Sequence, residues 1–275
     1  METQKIAFIG AGNMANALIT GLVADGFSAK NIWASDPVDK NLTALEEQFG
    51  IQTSCDNNAA IAHADIIVLS IKPQIMNRIC EEIKEIVNTR KPLVISIAAG
   101  IQIKNLTTCL GGKTALVRAM PNTPALIKTG ATGLFANEYV SEDQQSIAEE
   151  IMRAVGVALW VDDEKQMDYV TALSGSGPAY FFRIMEAMEK SACELGLPVK
   201  TAHLLTLQTA LGAAKLAMES QDTLATVREK VTSPGGTTER GLAAMETEKI
   251  DEVIEKTLTA ASLRAAELAN EYGEK

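Results

Sequence analysis

The chain has 275 residues, of which 47% are hydrophobic and 22% are charged, and its formal net charge is −10. These values are typical of a globular protein that is long enough for two modest domains with well-formed cores. The acidic balance argues against nucleic acid or an anionic membrane as the main partner, although backbone N–H groups can still bind a small anion at contact range.

The first predicted strand, residues 5–9, runs into a glycine turn and a predicted helix over 13–24. One residue separates Gly10 from Gly12, and Ala15 lies three positions after Gly12. In dinucleotide-binding turns the first glycine allows the tight turn, the second leaves room for a pyrophosphate, and the third small residue lets helix and strand pack closely. The phosphates then lie at a helix N-terminus. An ordinary glycine turn is the alternative, but the position between strand and helix favours a cofactor site.

The second predicted strand, residues 31–35, ends in an acidic turn at Asp36. This residue comes 21 positions after Ala15, about where an acid holds the ribose hydroxyls of adenosine. An acid there favours NAD, because a 2′-phosphate would meet a like charge, whereas Ser35 and Lys40 would soften that preference. A plain turn residue before a proline is the alternative for Asp36. The choice of cofactor therefore stays open.

Strand and helix patterns continue to alternate up to about residue 162. We predict further strands over 51–54, 64–70, 93–97, 114–119, 128–135 and 156–161. We predict further helices over 40–49, 74–88 and 141–155, and a short helix to His63 that Asn57 and Asn58 cap. The segment 64–70 is almost continuously apolar, as expected for a strand in a parallel sheet with both faces covered. This alternation predicts a doubly wound α/β sheet.

Three predicted loops follow strands on the side of the sheet where open α/β folds bind ligands. They contain Lys72-Pro73, the small residues 98–100, and the sequence Met-Pro-Asn-Thr-Pro at 120–124. We expect Lys72 to reach a cofactor, the small residues to admit a ligand, and the stiff proline loop to support a nicotinamide ring and substrate. A solvated lysine and a plain rigid connection are the alternatives.

After residue 163 the strand signals stop, and an all-helical second domain over 163–275 is predicted. Helices over 178–195 and 204–218 are apolar nearly all the way round, whereas a helix over 250–272 has one apolar stripe. A helix that is apolar on every side must be buried on every side. Because a lone domain of roughly 110 residues has difficulty burying two such helices, we predict an intertwined homodimer.

Two polar segments with glycines interrupt this hydrophobic half. The first is TALSGSGPAY at 171–180, and the second is VTSPGGTTE at 231–239. Each runs into a predicted helix. Capping explains one Ser or Thr at each helix start, but paired glycines with several hydroxyls also indicate a backbone nest for an anion.

Cysteine and histidine usage narrows the chemistry further. The four cysteines are scattered, at Cys55, Cys80, Cys109 and Cys193, and the only histidines are His63 and His203. The absence of a C-x-x-C pair predicts reduced, mostly buried thiols in a cytoplasmic protein. Two histidines argue against a His-based zinc site or triad, so we expect no metal centre. No apolar run approaches membrane-spanning length, so neither secretion nor membrane insertion is expected.

Together these motifs resemble the Δ1-pyrroline-5-carboxylate reductase family. The resemblance rests on the N-terminal GAGNMA, the two proline loops, SGSGPAY from Ser174 and TSPGGTT from Thr232, and it covers essentially the whole chain. The SPGGTT segment is specific, whereas many dehydrogenases share the glycine turn. The family reduces a cyclic imine to L-proline, the last step of proline biosynthesis, with NADPH or NADH. The resemblance implies a Rossmann domain over 1–162 and a helical dimerisation and substrate domain over 163–275, with dimers that some members assemble into decamers.

The resemblance also assigns site residues. The pyrophosphate contacts fall on Gly10, Gly12, Asn13 and Met14. The adenosine contacts fall on Ser35, Asp36 and Asn57, and those of the ribose and nicotinamide on Lys72, Ala98, Asn122 and Pro124. The cradle for the substrate carboxylate falls on Ser233, Gly236, Thr237 and Thr238. Thr171 is the proposed catalytic partner of the imine nitrogen. Family members that use NADPH often have a neutral or basic residue in place of Asp36, so this residue departs from their pattern.

Two other functions fit parts of the sequence. A β-hydroxyacid dehydrogenase-like enzyme shares the domain plan but would use a lysine on a long helix, where the 178–195 helix offers only Lys190. A nucleotide sensor would keep the cofactor site without catalysis, and the intact Thr171 and 233–238 segments argue against it. Hydride transfer to an imine requires positioning and a protonated nitrogen. A site without histidine, zinc or paired acids is therefore adequate for the reductase.

Overall fold

A computed structural model describes residues 3–273. Within that range the chain forms two compact units. The first unit contains the sheet and consists of the chain up to Ser176 together with the chain from Ala260 onward. The second unit is Gly177–Thr259. The assignment of residues 1–162 to a Rossmann domain and of residues 163–275 to dimerisation and substrate binding stays a prediction.

Over the described residues, the first unit is built on an eight-stranded sheet. Its strands are β1 Ile6–Ile9, β2 Ile32–Ser35, β3 Gln52–Ser54, β4 Ile66–Leu69, β5 Leu93–Ser96, β6 Ala115–Met120, β7 Gly130–Ala136 and β8 Gly156–Trp160. Their order is β3-β2-β1-β4-β5-β6-β7-β8, and only the pair β6–β7 is antiparallel. The first six strands thus have the order of a dinucleotide-binding sheet, with its switch point between β1 and β4.

Helices cover this sheet on both sides. They are α1 Asn13–Ala24, α2 Asp39–Phe49, α3 Asn57–Ile61, α4 Met76–Arg90, α5 Ile103–Leu110, α6 Glu142–Arg153 and α7 Gln166–Val170. Ile6 and Phe8 belong to one buried apolar cluster, and Ala7 and Ile9 belong to another. Since successive strand side chains point to opposite faces, both faces of β1 are buried. The predicted doubly wound sheet is confirmed.

Local details of the first unit differ from the sequence prediction. The side chain of Asp56 accepts the N–H groups of Asn58 and Ala59, so Asp56, and not the two asparagines, caps α3. Helix α5 has no predicted counterpart. After β8, helix α7 continues into a π-helical turn, Thr171–Gly175, where the sequence analysis placed only a polar segment.

The second unit is helical. It contains α8 Gly177–Glu194, α9 Val199–Glu219, α10 Leu224–Lys230, α11 Thr237–Thr247 and the first part of α12 Ile250–Gly273. In α8 and α9 the buried residues are Gly177, Ala202 and Thr206. Large apolar side chains of these helices stay exposed, among them Phe181, Phe182, Leu204, Leu211 and Met218. The burial predicted for these helices is therefore absent within one chain, and exposed apolar surface of this kind indicates an interaction surface.

The apolar stripe of α12 and the cysteines differ in exposure from residue to residue. Val253 and Ile254, two residues of that stripe, are exposed. All four cysteines are free; Cys80 and Cys109 are buried, whereas Cys55 is exposed. Among the helices of the described range, none has the length and apolar character that a membrane crossing requires.

Candidate active site

The glycine turn joins the ends of three strands. Gly10 follows β1 with φ of +94°, and its N–H donates to the Ser35 carbonyl oxygen at 2.7 Å. A Cβ at Gly10 would lie 2.5 Å from the carbonyl oxygen of Ser70, which follows β4. Position 10 therefore requires glycine for two separate reasons, its left-handed backbone and the close approach of the neighbouring chain.

The N-terminus of α1 has open space in front of it. Gly12 is the N-cap residue, and within residues 3–273 no side chain caps the helix and no atom lies within 4 Å of a Cβ placed at Gly12. Asn13 is exposed, Met14 is half-buried and Ala15 is fully buried. An uncapped helix start at the switch point of the sheet fits a pyrophosphate, because its N–H groups and dipole favour an anion. The residues present thus fit a dinucleotide.

The residues predicted for the adenosine end lie beside this turn. The Ser35 hydroxyl donates to Asn57 Oδ1 at 2.6 Å. The Asp36 carboxylate accepts the N–H of Val38 at 2.8 Å and the N–H of Ala11 at 2.9 Å. The first bond is the one expected of a turn residue before a proline. The second ties Asp36 to the backbone between Gly10 and Gly12, so the acid lies next to the turn predicted to hold the nucleotide.

The loops after β4 and β5 contact the end of α12. Lys72 is exposed and Ala98 is buried. Two residues after Lys72, Gln74 Nε2 donates to the Tyr272 hydroxyl at 3.0 Å. A Cβ at Gly100 would lie 3.1 Å from the Tyr272 ring. A ring from the chain itself therefore accounts for the small residue at Gly100, where we expected a ligand.

Asn122 connects the end of β6 to two neighbouring segments. Its Nδ2 donates to the Ser174 carbonyl oxygen at 2.9 Å, and its Oδ1 accepts the N–H of Ala131 at 2.9 Å. The residue is only 9% exposed, while Pro124 is half-buried in the following 3₁₀ turn. Asn122 thus anchors the π-helical turn to the carboxyl end of β6.

Thr171 begins this π-helical turn, a feature that often occurs at functional sites. Its hydroxyl donates to the Met167 carbonyl oxygen at 2.7 Å, and Ser174 makes the same kind of bond to Val170 at 2.9 Å. A hydroxyl that donates in this way keeps its lone pairs as acceptors. Thr171 can therefore accept an N–H from a protonated nitrogen, but it can deliver its own proton only by breaking the bond to Met167.

A buried ion cluster, which the sequence analysis missed, holds α7 to β6. Arg118 Nη1 lies 3.3 Å from Glu164 Oε1, and Arg118 Nη2 lies 3.7 Å from Asp168 Oδ1. Burial raises the pKa of Asp168 above its ordinary value, and Arg118 opposes this change only in part. In the described range that oxygen has no hydrogen-bond partner. The sequence feature that could have predicted this cluster is the arginine in the otherwise apolar strand ALVRAM.

In the second unit, the predicted carboxylate cradle forms the start of α11. Gly236 is the N-cap residue without a side-chain cap, and its N–H donates to the Ser233 carbonyl oxygen at 3.0 Å. Gly235 has φ of +72°, and its N–H donates to Glu239 Oε2 at 2.7 Å. The exposed hydroxyl residues of this loop are Ser233, Thr237 and Thr238. The loop thus presents hydroxyls at an uncapped helix start, and one of its N–H groups already binds a carboxylate.

Comparison with known proteins decides the family. Residues 164–268 match the family model described as pyrroline-5-carboxylate reductase dimerisation. The pyrroline-5-carboxylate reductase of Pseudomonas aeruginosa is 48% identical over 274 residues, which cover 100% of both chains. The chain belongs to the pyrroline-5-carboxylate reductase family. The relative from Vibrio alginolyticus is 46% identical over 269 residues, which cover 98% of each chain, so the resemblance seen in the sequence is confirmed.

Other matches agree with the fold of the family. Residues 5–100 match a model described as NADP oxidoreductase coenzyme F420-dependent. The pyrroline-5-carboxylate reductase structure from Coxiella burnetii has a TM-score of 0.95 at 46% identity and covers 97% of this chain and 99% of that chain. The Plasmodium falciparum pyrroline carboxylate reductase structure with NADP bound has a TM-score of 0.85 at 28% identity and covers 98% and 99%. The combination of a Rossmann sheet with a helical dimerisation domain is thus confirmed.

Proposed function

We propose that this chain reduces Δ1-pyrroline-5-carboxylate to L-proline with NADPH or NADH, as the last step of proline biosynthesis. The observation that carries the proposal is the 48% identity with the Pseudomonas aeruginosa reductase along the whole of both chains. The uncapped start of α1 supports nucleotide binding. The NADP in the Plasmodium falciparum structure supports the class of cofactor.

In this proposal the first unit binds the nucleotide. Gly10, Gly12, Asn13 and Met14 hold the pyrophosphate. Ser35, Asp36 and Asn57 face the adenosine, and Lys72, Ala98, Asn122 and Pro124 lie along the ribose and nicotinamide. Most of these residues bind the nucleotide through backbone N–H groups or by shaping and positioning the site. Lys72 supplies a formal positive charge for an anionic cofactor in an acidic protein.

The substrate carboxylate binds to Ser233, Gly236, Thr237 and Thr238. Charge-assisted hydrogen bonds contribute on the order of 1.5–3 kcal/mol each, so two or three of them orient a ligand this small. The reduced nicotinamide supplies the hydride for the imine carbon. Thr171 accepts the N–H of the protonated imine, because its own proton is directed at the Met167 carbonyl. This geometry favours a substrate that binds already protonated over a proton relayed by Thr171.

The proposal includes the assembly and location of the enzyme. It is a cytoplasmic homodimer, with a decamer as the higher assembly, and residues 163–275 provide association and substrate binding. The match to the dimerisation model and the exposed apolar residues of α8 and α9 support the dimer. The net charge of −10 supports the expectation of no nucleic-acid partner. We likewise expect no membrane partner and no metal.

The purified chain, incubated with NADPH or NADH and a panel of substrates, tests the proposal. We expect nucleotide oxidation and stoichiometric L-proline with pyrroline-5-carboxylate, and no nucleotide oxidation with the keto forms of β-hydroxyacids. Turnover confined to these keto forms would indicate the dehydrogenase instead. Nucleotide binding without any turnover would indicate the sensor.

A further inference from the structure

We propose that Glu239 is a specificity-determining residue whose carboxylate competes with the substrate carboxylate at the start of α11. This inference rests on the proposed function of the 233–238 loop. Glu239 Oε2 accepts the N–H of Gly235 at 2.7 Å. The chain therefore places a carboxylate of its own on the loop to which we assign the carboxylate of the substrate.

The local geometry explains why Glu239 reaches this position. It is the third residue of α11, from which a glutamate commonly reaches back to the N–H of the N-cap residue. Here the N–H of the N-cap residue Gly236 is already donated to Ser233. Glu239 reaches one residue further back, to Gly235, whose φ of +72° turns the chain at this point. The glutamate thus contacts the first glycine of the pair, one residue beyond the usual capping contact with the N-cap residue.

The charge of Glu239 is stabilised by the Gly235 N–H at the helix start. In the described part of the chain no Lys, Arg or His forms an ion pair with it. A bound substrate would place a second carboxylate at neighbouring N–H groups of the same helix start. Two like charges at about 4 Å in solvent weaken binding by about fivefold. Glu239 therefore raises the KM for the imine acid through charge repulsion, and so sets how strongly the loop binds an anionic ligand.

Steady-state kinetics of Glu239→Gln at saturating nucleotide test this inference. Glutamine keeps the length of the side chain and an oxygen that can accept the Gly235 N–H, so only the charge is lost. We expect the KM for pyrroline-5-carboxylate to fall about threefold to tenfold, with kcat and the KM for the nucleotide unchanged. Added salt should lower the KM of the wild-type enzyme more than that of the variant, since it screens the repulsion.

The matched control is Glu246→Gln, which removes the same charge from an exposed position near the other end of α11. Its KM for the imine should equal that of the wild-type enzyme. An unchanged or higher KM in Glu239→Gln would overturn the inference, and so would an equal fall in both variants, which indicates a general effect of net charge. A wild-type protein that does not reduce the imine would overturn the proposed function and this inference with it. If the wild-type protein is active and Glu239→Gln has the same KM for the imine, only the inference is overturned.

Discussion

The two units of the chain bury their apolar side chains to different extents. In the sheet of the first unit, Phe8 and Val68 have no exposed surface. In the second unit, Phe181 and Phe182 are 66% and 63% exposed, and Gly177 is the residue that α8 buries. The first unit therefore completes a hydrophobic core with its own residues, whereas the second presents apolar surface that a partner can cover. The comparison predicts that changes in the two units will have separable effects on nucleotide binding and on association.

The largest effect is expected for Leu211→Glu on α9, where the side chain is 62% exposed. A charge in an apolar interface is desolvated without a partner, so the dissociation constant of the dimer should rise by about 100-fold or more. Light scattering after size exclusion measures the mass. The control is Tyr139→Glu, an exposed residue that follows β7 in the first unit. Equal masses for the two variants would contradict the assignment of association to the second unit.

Gly12→Ala and Gly10→Ala form a matched pair in the first unit. Among the described residues a methyl group at Gly12 meets no atom within 4 Å, so Tm should stay unchanged. The nucleotide Kd should rise about 10- to 100-fold, because the methyl group would occupy the place proposed for the pyrophosphate. A methyl group at Gly10 meets the Ser70 carbonyl, so the free energy of unfolding should fall by about 3 kcal/mol. Fluorescence titration and thermal melting separate the two effects. Unchanged nucleotide affinity in Gly12→Ala would exclude this turn as the binding site.

Thr171→Ala should lower kcat about 10- to 100-fold, which lies at or below the lower end of the range for a group that transfers a proton. The reason is that Thr171 accepts the N–H of the substrate nitrogen in our account. Ser174→Ala is the control, since Ser174 makes an equivalent bond to a backbone carbonyl and has no assigned contact with substrate. If both variants lose kcat equally, Thr171 acts through the shape of the π-helical turn alone.

Thr238→Ala, in the second unit, should raise the KM for the imine about tenfold and leave the KM for the nucleotide unchanged. In the proposed site the Thr238 hydroxyl contributes one charge-assisted bond to the substrate carboxylate, which accounts for an effect of this size. Together with Gly12→Ala, it tests whether the two units bind different ligands. A parallel rise in both KM values would remove the 233–238 loop from the substrate site.

Asp36→Ser should have the smallest effect, a shift of about three- to tenfold in the NADPH/NADH ratio of kcat/KM toward NADPH. The carboxylate that would repel a 2′-phosphate is removed. Its bonds to Ala11 and Val38 are lost as well, so a decrease in stability of about 1 kcal/mol is expected. An unchanged cofactor ratio would mean that Asp36 acts only as a turn residue.

The sequence predicts those parts of the molecule that local patterns determine. Helix α1 was predicted with its observed bounds, because a glycine turn precedes it and Gly26 follows it. Helix α9 begins at Val199, five residues before the predicted start, because Pro198 supplies its N-cap. Strand β7 runs antiparallel to β6, a direction that hydrophobic runs do not specify.

Contacts between distant residues explain most of what the sequence did not predict at the candidate site. The bond from Gln74 to Tyr272 spans 198 residues, and that from Asn122 to Ser174 spans 52. No spacing rule links such pairs. The bond from the Gly235 N–H to Glu239 is local, but it forms because the N–H of Gly236 is already donated to Ser233. Residue types thus predict the two candidate ligand loops, whereas the contacts that hold these loops in place are seen only in the structure.

The central claim is that the chain transfers a hydride directly from the nucleotide to the imine carbon. The most direct test uses NADPH or NADH carrying deuterium at the transferable position of nicotinamide C4, with mass spectrometry of the product. We predict L-proline with one deuterium on the ring carbon that was the imine carbon. Proline without deuterium, or a labelled product other than proline, would contradict the account.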